Sequence, residues 1–232
     1  MRKLLVSRAA KLVTAGALAI GLAGALAPAA QAATADATAS PWLSGSEVPL
    51  AAGHHWKAQP EKRYTTTGEF QWLLTCGVGG PAKELGTKSI SVMPFTDSAN
   101  SHDPVDAAQI LFNFKDSAAA KKAMATIKRD YAGCVKRRNA QHWGDETTGQ
   151  PVHFAVGRTA ITEDGTAYRF AARNSSGKPA VIDDLPSEAQ ELFVQNGPTI
   201  SMISINASRV NISDTTEAAK TLAAMSEHLI NS

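Results

Sequence analysis

Twice in this 232-residue chain an alternating apolar segment runs directly into a segment with helical periodicity, and the two units share one register. The first strand reads Ala108 to Phe114, with Ile110, Phe112 and Phe114 on one face. A helix then starts at Asp116 or Ser117, either of which offers a side-chain oxygen to the unpaired amides of a first turn. It buries Ala120, Met124, Ile127 and Tyr131 and ends at Gly133, a residue suited to a left-handed cap. The second strand, Thr199 to Ala207, leads to a helix from about Thr215 to Ile230, capped by Asp214. With Asp214 laid on Asp116, the inward set Ala218, Leu222, Met225 and Leu229 falls on the inward set of the first helix. Helical periodicity alone supplies part of this match. The pattern predicts an α+β fold: a mostly antiparallel sheet with two main helices packed on one face.

Further strands read at Phe70 to Cys76 and Ser89 to Phe95. Val152 to Thr162 and Thr166 to Arg173 form a hairpin about Asp164-Gly165, and Leu192 to Gln195 pairs with the strand at Thr199 about Asn196-Gly197. Pro41 to Thr67 holds Trp42, Leu43, Val48, Leu50, Trp56 and Tyr64 without a clean period, and is expected to wrap the domain as loop and short helix.

The start of the chain bears on compartment. Arg2, Lys3, Arg8 and Lys11 precede an uncharged Ala/Leu/Gly-rich run from Leu12 to Ala27, then Pro28 and the small-residue ending Ala30-Gln31-Ala32. That is the layout of a cleavable secretory signal. The run is short of the roughly 20 apolar residues a membrane span needs. Residues 1–32 therefore read as a signal peptide, 33–40 as a disordered tail and 41–232 as one domain, secreted and without a membrane span. The whole chain holds 23 Lys+Arg and 21 Asp+Glu. Four of the bases and none of the acids lie in residues 1–32, which leaves 19 against 21, a net charge of −2. A slightly acidic protein gains no general counterion-release drive toward nucleic acid, which disfavours that class of partner. Two cysteines in an exported chain, Cys76 and Cys134, read as a disulfide, the alternative being two buried thiols.

The segment Ile110 to Cys134 (ILFNFKDSAAAKKAMATIKRDYAGC) resembles the PknH-like extracellular sensor domains of high-GC Gram-positive bacteria. There a strand leads into an Ala/Lys-rich helix that ends at a bridged cysteine. Trp56, the Cys76 segment and the last strand–helix unit fall in the expected order. The resemblance implies two helices against an antiparallel sheet, with a cleft for an extracellular ligand. Members commonly carry two disulfides, whereas this chain can make only one, and no kinase domain or spanning helix accompanies it.

Motifs that imitate catalytic or metal sites read better as structure. Cys76-Gly77-Val78-Gly79-Gly80-Pro81-Ala82 mimics a dinucleotide fingerprint, but Gly86 stops the helix that such a loop must open. Ser175-Ser176-Gly177-Lys178 has S-x-x-K spacing in turn composition, without the partner motifs of that chemistry. His54-His55 lacks an i,i+4 partner for zinc, and Asp97, Asn100, Asp103 and Asp106 lack calcium-loop spacing. Asp183-Asp184 reads as a turn. The remaining cluster is Lys136-Arg137-Arg138, followed by His142 and Trp143. Cations at a helix C-terminus offset its partial negative charge. The same cluster also suits an anion-binding rim, in which Arg137, Arg138 and Trp143 contact a ligand. The expectation is a secreted, monomeric, non-enzymatic binding domain with no cofactor or metal, whose partner is an extracellular small molecule, glycan or lipid head group. The alternatives are a secreted hydrolase without a recognisable motif, or an envelope-interaction or inhibitor protein acting through its surface.

Overall fold

The strand Val105–Asn113 carries apolar side chains on both of its faces, and the layering of the molecule follows from that. Successive strand residues point to opposite sides of a sheet. Ala108, Ile110 and Phe112 lie in one buried cluster, and Val105, Ala107 and Leu111 lie in a second. A strand buried on both sides needs a cover on both sides. The computed structural model describes residues 40–50, 53–65, 75–76, 85–97, 105–182, 185–207 and 216–232.

In chain order the elements are β1 (Trp56–Ala58), β2 (Lys62–Tyr64), β3 (Ser89–Asp97), β4 (Val105–Asn113), α1 (Ser117–Asn139), β5 (Val152–Ile161), β6 (Gly165–Asn174), β7 (Glu188–Asn196), β8 (Thr199–Ala207) and α2 (Ala218–Asn231). The eight strands described form one sheet in the order β1-β3-β4-β8-β7-β6-β5, with β2 also paired to β3. Every pairing is antiparallel. The α+β class with two helices, an antiparallel sheet and one disulfide is therefore as expected.

The placement of the helices differs from expectation. Ala120, Met124, Ile127 and Tyr131 of α1 pack with Ile110, Phe112, Ile200 and Met202, whereas Ala218, Leu222, Met225 and Leu229 of α2 pack with Leu111, Ile203 and Ile205. These two strand sets alternate, so the helices cover opposite faces of the sheet instead of one. The shared register of the two strand–helix units reflects helical periodicity, which says which side of a helix is buried and not which side of the sheet receives it.

α1 also runs longer than predicted. Asp116 caps its start, accepting a hydrogen bond from the Ala119 amide at 2.8 Å, but the helix continues through Gly133 to Asn139. Gly133 serves close approach instead of termination: a Cβ there would lie 2.5 Å from Arg137 Nη1. Gly165 departs in the same way. It opens β6, and the connection is Thr162-Glu163-Asp164; a Cβ on Gly165 would press to 2.8 Å on Thr162 Oγ1 and 3.0 Å on the Phe193 carbonyl oxygen. Gly197 does occupy the turn between β7 and β8, at φ +51.

β7 begins at Glu188, four residues earlier than the apolar pattern indicated. Residues 41–65 contribute the short strands β1 and β2 where loop and short helix were expected, and bury Leu43, Val48 and Trp56 on the α2 side. α2 starts at Ala218, with Glu217 at its cap position, while Asp214 lies outside the described residues. So do residues 1–39 and most of the expected strand from Phe70, of which Thr75 and Cys76 form a turn.

Cys76 and Cys134 are bonded, with Cα atoms 5.3 Å apart and a sequence separation of 58. Closing a loop of that length stabilises by about 4 kcal/mol in the chain-entropy model. Replacing both cysteines by serine should lower the unfolding free energy by up to that amount, measured by denaturant titration; an unchanged midpoint would show that the bridge adds nothing to this fold.

Candidate functional site

β7 lies inside the sheet between β6 and β8, yet Glu188, Gln190 and Glu191 on it are fully buried. Buried charge is costly unless paired. Glu188 meets that requirement on the α2 face, where the guanidinium groups of Arg169 and Arg173 both reach its carboxylate. Glu191 points to the other face, beside Ala189 and Phe193, and no cation reaches it among the described residues.

Its surroundings are polar in one narrow row. Across the strands, Glu191 pairs in register with Tyr168 of β6 and Ser204 of β8, and Ser204 pairs with Ala108 of β4. One carboxyl oxygen, Oε1, accepts hydrogen bonds from the Thr75 amide at 3.1 Å and the Thr75 hydroxyl at 3.0 Å. The other, Oε2, has no partner among the described residues, and neither does the Ser204 hydroxyl nor the Tyr131 hydroxyl from α1. Aromatic rings wall the row: Tyr131 stacks on Tyr168 at 4.2 Å and meets Phe193 edge-on at 5.7 Å. Burial pushes the Glu191 carboxyl up to about 7, against the two Thr75 hydrogen bonds that favour its charged form.

The predicted cationic cluster joins this site from behind. Arg138 donates from Nη2 to the Thr75 carbonyl oxygen at 2.7 Å. Arg137 donates from Nη2 to the Cys76 carbonyl oxygen at 2.8 Å and to that of Asp130 at 2.6 Å, crossing the bare backbone at Gly133. Burial holds the Arg138 guanidinium below its ordinary range, with the like charge of Arg137 adding to the effect. The two arginines and the Cys76–Cys134 bridge thus fasten the residue that covers Glu191. The arginines lie inside the last turn of α1, not beyond its end. Trp143 stands apart from this clamp: it is half-buried, edge-on to Phe154 at 6.3 Å, and donates from Nε1 to Gln141 at 3.1 Å.

The other motifs settle into structural work. Asn174 Oδ1 accepts from the amides of Ser176 and Lys178, so the S-x-x-K segment is a turn with Gly177 at φ +76. His54 stacks on Trp56 at 4.9 Å and contacts Asp97 at 2.8 Å; His228 contacts Glu47 and the Ser40 carbonyl oxygen. Residues 77–82, 98–104 and 183–184 lie outside the described residues. Among those described, no three His, Cys, Asp or Glu side chains group to hold a metal ion.

Sequence reasoning passed over Glu191 because an acid in a segment reading Glu-Ala-Gln-Glu argues against a central strand. The available signal was position: this segment continues backward from an apolar strand already paired with the one at Thr199.

No family model matches the chain and no curated protein does. Among solved structures it is similar to the extracellular domain of PknH from Mycobacterium tuberculosis, with a TM-score of 0.50, 10% identity, and coverage of 81% of this chain and 93% of that one. The likeness is one of fold.

Two outcomes follow from this geometry. The Glu191 carboxyl holds its proton to about pH 7 when folded, against the ordinary 4.5 of a solvated glutamate. The unfolded chain therefore binds fewer protons between those limits, so folding stability falls as pH rises through that window and levels off above it. The loss is on the order of 3 kcal/mol. Glu191→Gln should flatten the fall and raise the melting temperature above pH 7, read by thermal denaturation across pH; a parallel pH profile would assign the slope to other groups. Arg137→Ala with Arg138→Ala should free the Thr75–Cys76 carbonyls and lower stability by about 1–3 kcal/mol. Full retention of the melting temperature would return these arginines to a surface role.

Proposed function

We propose that this protein is an exported, non-enzymatic domain that binds a small extracellular molecule on the α1 face of the sheet, at the row Tyr168–Glu191–Ser204 beneath Thr75. One observation carries the reading. Four buried polar atoms on that face, Glu191 Oε2, Ser204 Oγ, Tyr131 OH and Thr166 Oγ1, lack partners among the described residues, the first three of them in or beside the row. Buried polar atoms in native proteins are nearly always matched, by protein, water or ligand. A ligand bearing hydrogen-bond donors satisfies the carboxyl oxygen, and the aromatic walls favour one with an apolar or ring portion.

Three further features support it: the fold shared with an extracellular domain, the signal-like layout of residues 1–32 and the single bridge Cys76–Cys134. Arg137 and Arg138 enter as the clamp on Thr75, and Trp143 as packing on Phe154, in place of direct anion contacts. A neutral or cationic ligand then fits better than an anionic glycan or head group, because the row presents a carboxyl and no cation among the described residues. A hydrolase would need a base for its nucleophile, and the Ser204 hydroxyl has none among the described residues.

Native mass spectrometry of the protein purified from culture medium should detect a retained small molecule. Glu191→Leu with Ser204→Val, which matches the row to apolar surroundings, should abolish retention while the fold persists. Equal retention by wild type and variant would remove the site from this row.

A further inference from the structure

Two large apolar side chains are strongly exposed among the described residues, Ile161 at 63% and Ile230 at 65%. They stand at one end of the sheet but on opposite faces: Ile161 pairs in register with Thr166, which shares the α1 face with Phe193, whereas Ile230 lies near the end of α2. A groove of about 670 Å³ runs between the β5–β6 connection and the end of α2, lined by Thr162, Glu163, Asp164, Glu227 and Ile230 among others, and Ile161 directly precedes it in the chain. Exposed apolar surface rimmed by polar groups marks interaction sites.

The charge lining the groove has one sign: Glu163 and Glu227 are exposed, and no Lys or Arg lines it among the described residues. Asp164 accepts from the hydroxyls of Ser226 and Thr162, which ties the hairpin connection to the helix and fixes the groove's shape. α2 ends here, so its C-terminal carbonyls add partial negative charge. A cation is the complementary occupant.

Among the described residues β5 is the last strand of the sheet, and no described strand pairs with its outer edge. Near its start the outward groups are occupied: the Val152 amide donates to the Trp143 carbonyl oxygen, and the Asn139 side chain accepts from the Phe154 amide at 2.9 Å and donates to its carbonyl at 3.5 Å. Alternation turns the Val156 and Arg158 backbone groups to the same outer side, leading toward Ile161 and the groove. Such an edge adds an extended segment through main-chain hydrogen bonds.

We propose that this corner docks an extended basic peptide segment of another protein. Its main chain pairs with β5 from Val156 onward, so that its side chains alternate between the two faces: apolar ones cover Ile161 on the α1 face, and on the α2 face a Lys or Arg lies along Ile230 and enters the groove between Glu163 and Glu227. A second copy of this chain is the poorer occupant, since a two-fold contact sets the acidic rim against itself. This surface involves neither Glu191 nor Thr75, so it stands or falls independently of the ligand site.

The test uses the purified protein and two dye-labelled, end-blocked peptides, one alternating Lys and Val, the other alternating Glu and Val, followed by fluorescence anisotropy. The Lys peptide should bind and the Glu peptide should not. Binding should weaken as salt rises from about 50 to about 300 mM, since exposed charges are screened. Glu163→Gln with Glu227→Gln should weaken it at least about tenfold, as two lost charge contacts imply. Ile230→Ser should also weaken it. Val156→Pro removes an outward amide that the sheet does not use, and should reduce binding while leaving the melting temperature near wild type. Equal binding of both peptides, or unchanged binding by the double glutamine variant, overturns the proposal. So does a dimer in solution that Ile161→Ser or Ile230→Ser dissociates and the Lys peptide does not.

Discussion

Two-sided burial of the central strands is the constraint from which the rest of this structure follows. β4, β7 and β8 each place apolar side chains on both faces, so neither face tolerates water and each requires its own helix. α1 closes one side and α2 the other. The order β3-β4-β8-β7-β6 then lets hairpins supply most connections, leaving the two strand-to-helix passages to carry the chain across the faces. The N-terminal segment completes the α2 side. Gln109, fully buried on β4, receives the Leu43 amide on its Oε1 and donates from Nε2 to the Pro41 carbonyl oxygen and to Ser201. One polar residue in a core strand thus binds a stretch that has no period of its own.

Much of this was legible in the sequence, for identifiable reasons. Alternation marked β4, β5, β6 and β8, Asp116 marked the start of α1, and the inward residues of both helices stood at helical spacing. The face each helix covers was not legible. The run Ile110-Leu111-Phe112 holds apolar residues on both sides, and reading only its even positions hides the second core. Gly133 and Gly165 misled for a shared reason. A glycine signals either positive φ or a missing Cβ, and the chain alone does not say which; here both serve contact, one with a guanidinium and the other with a neighbouring strand. The Arg137–Arg138 pair was visible as charge, but its target was not, since the Cys76 carbonyl it reaches lies 61 residues away in sequence.

The least legible feature was the pair of acids on β7. Glu188 and Glu191 stand three apart on one strand, so they face opposite cores and meet opposite solutions. Glu188 is held by two arginines from β6. Among the described residues Glu191 has only Thr75, and burial shifts it toward the neutral acid. Composition treats the two as equivalent. The difference arises entirely from the parity of the strand and from which residues the neighbouring strands present in register.

That difference couples the disulfide end of α1 to the acid. Thr75 donates twice to Glu191 and is itself held through its carbonyl by Arg138, with the bridge at the next residue. Hydrogen bonds from Thr75 favour the carboxylate, so the clamp draws the carboxyl's proton affinity down while burial draws it up. By linkage the relation runs both ways: whatever loosens Thr75 favours the neutral acid, and protonation of Glu191 weakens the hold on Thr75. The Cys76–Cys134 bridge limits that loosening, because it fixes the next residue to α1 whether or not Thr75 keeps its two contacts. A ligand that donates to Oε2 opposes burial from the other side of the same carboxyl, and does so without competing with Thr75 for Oε1. The two oxygens of one buried acid thereby differ: Oε1 is held by Thr75, and Oε2 has no partner among the described residues.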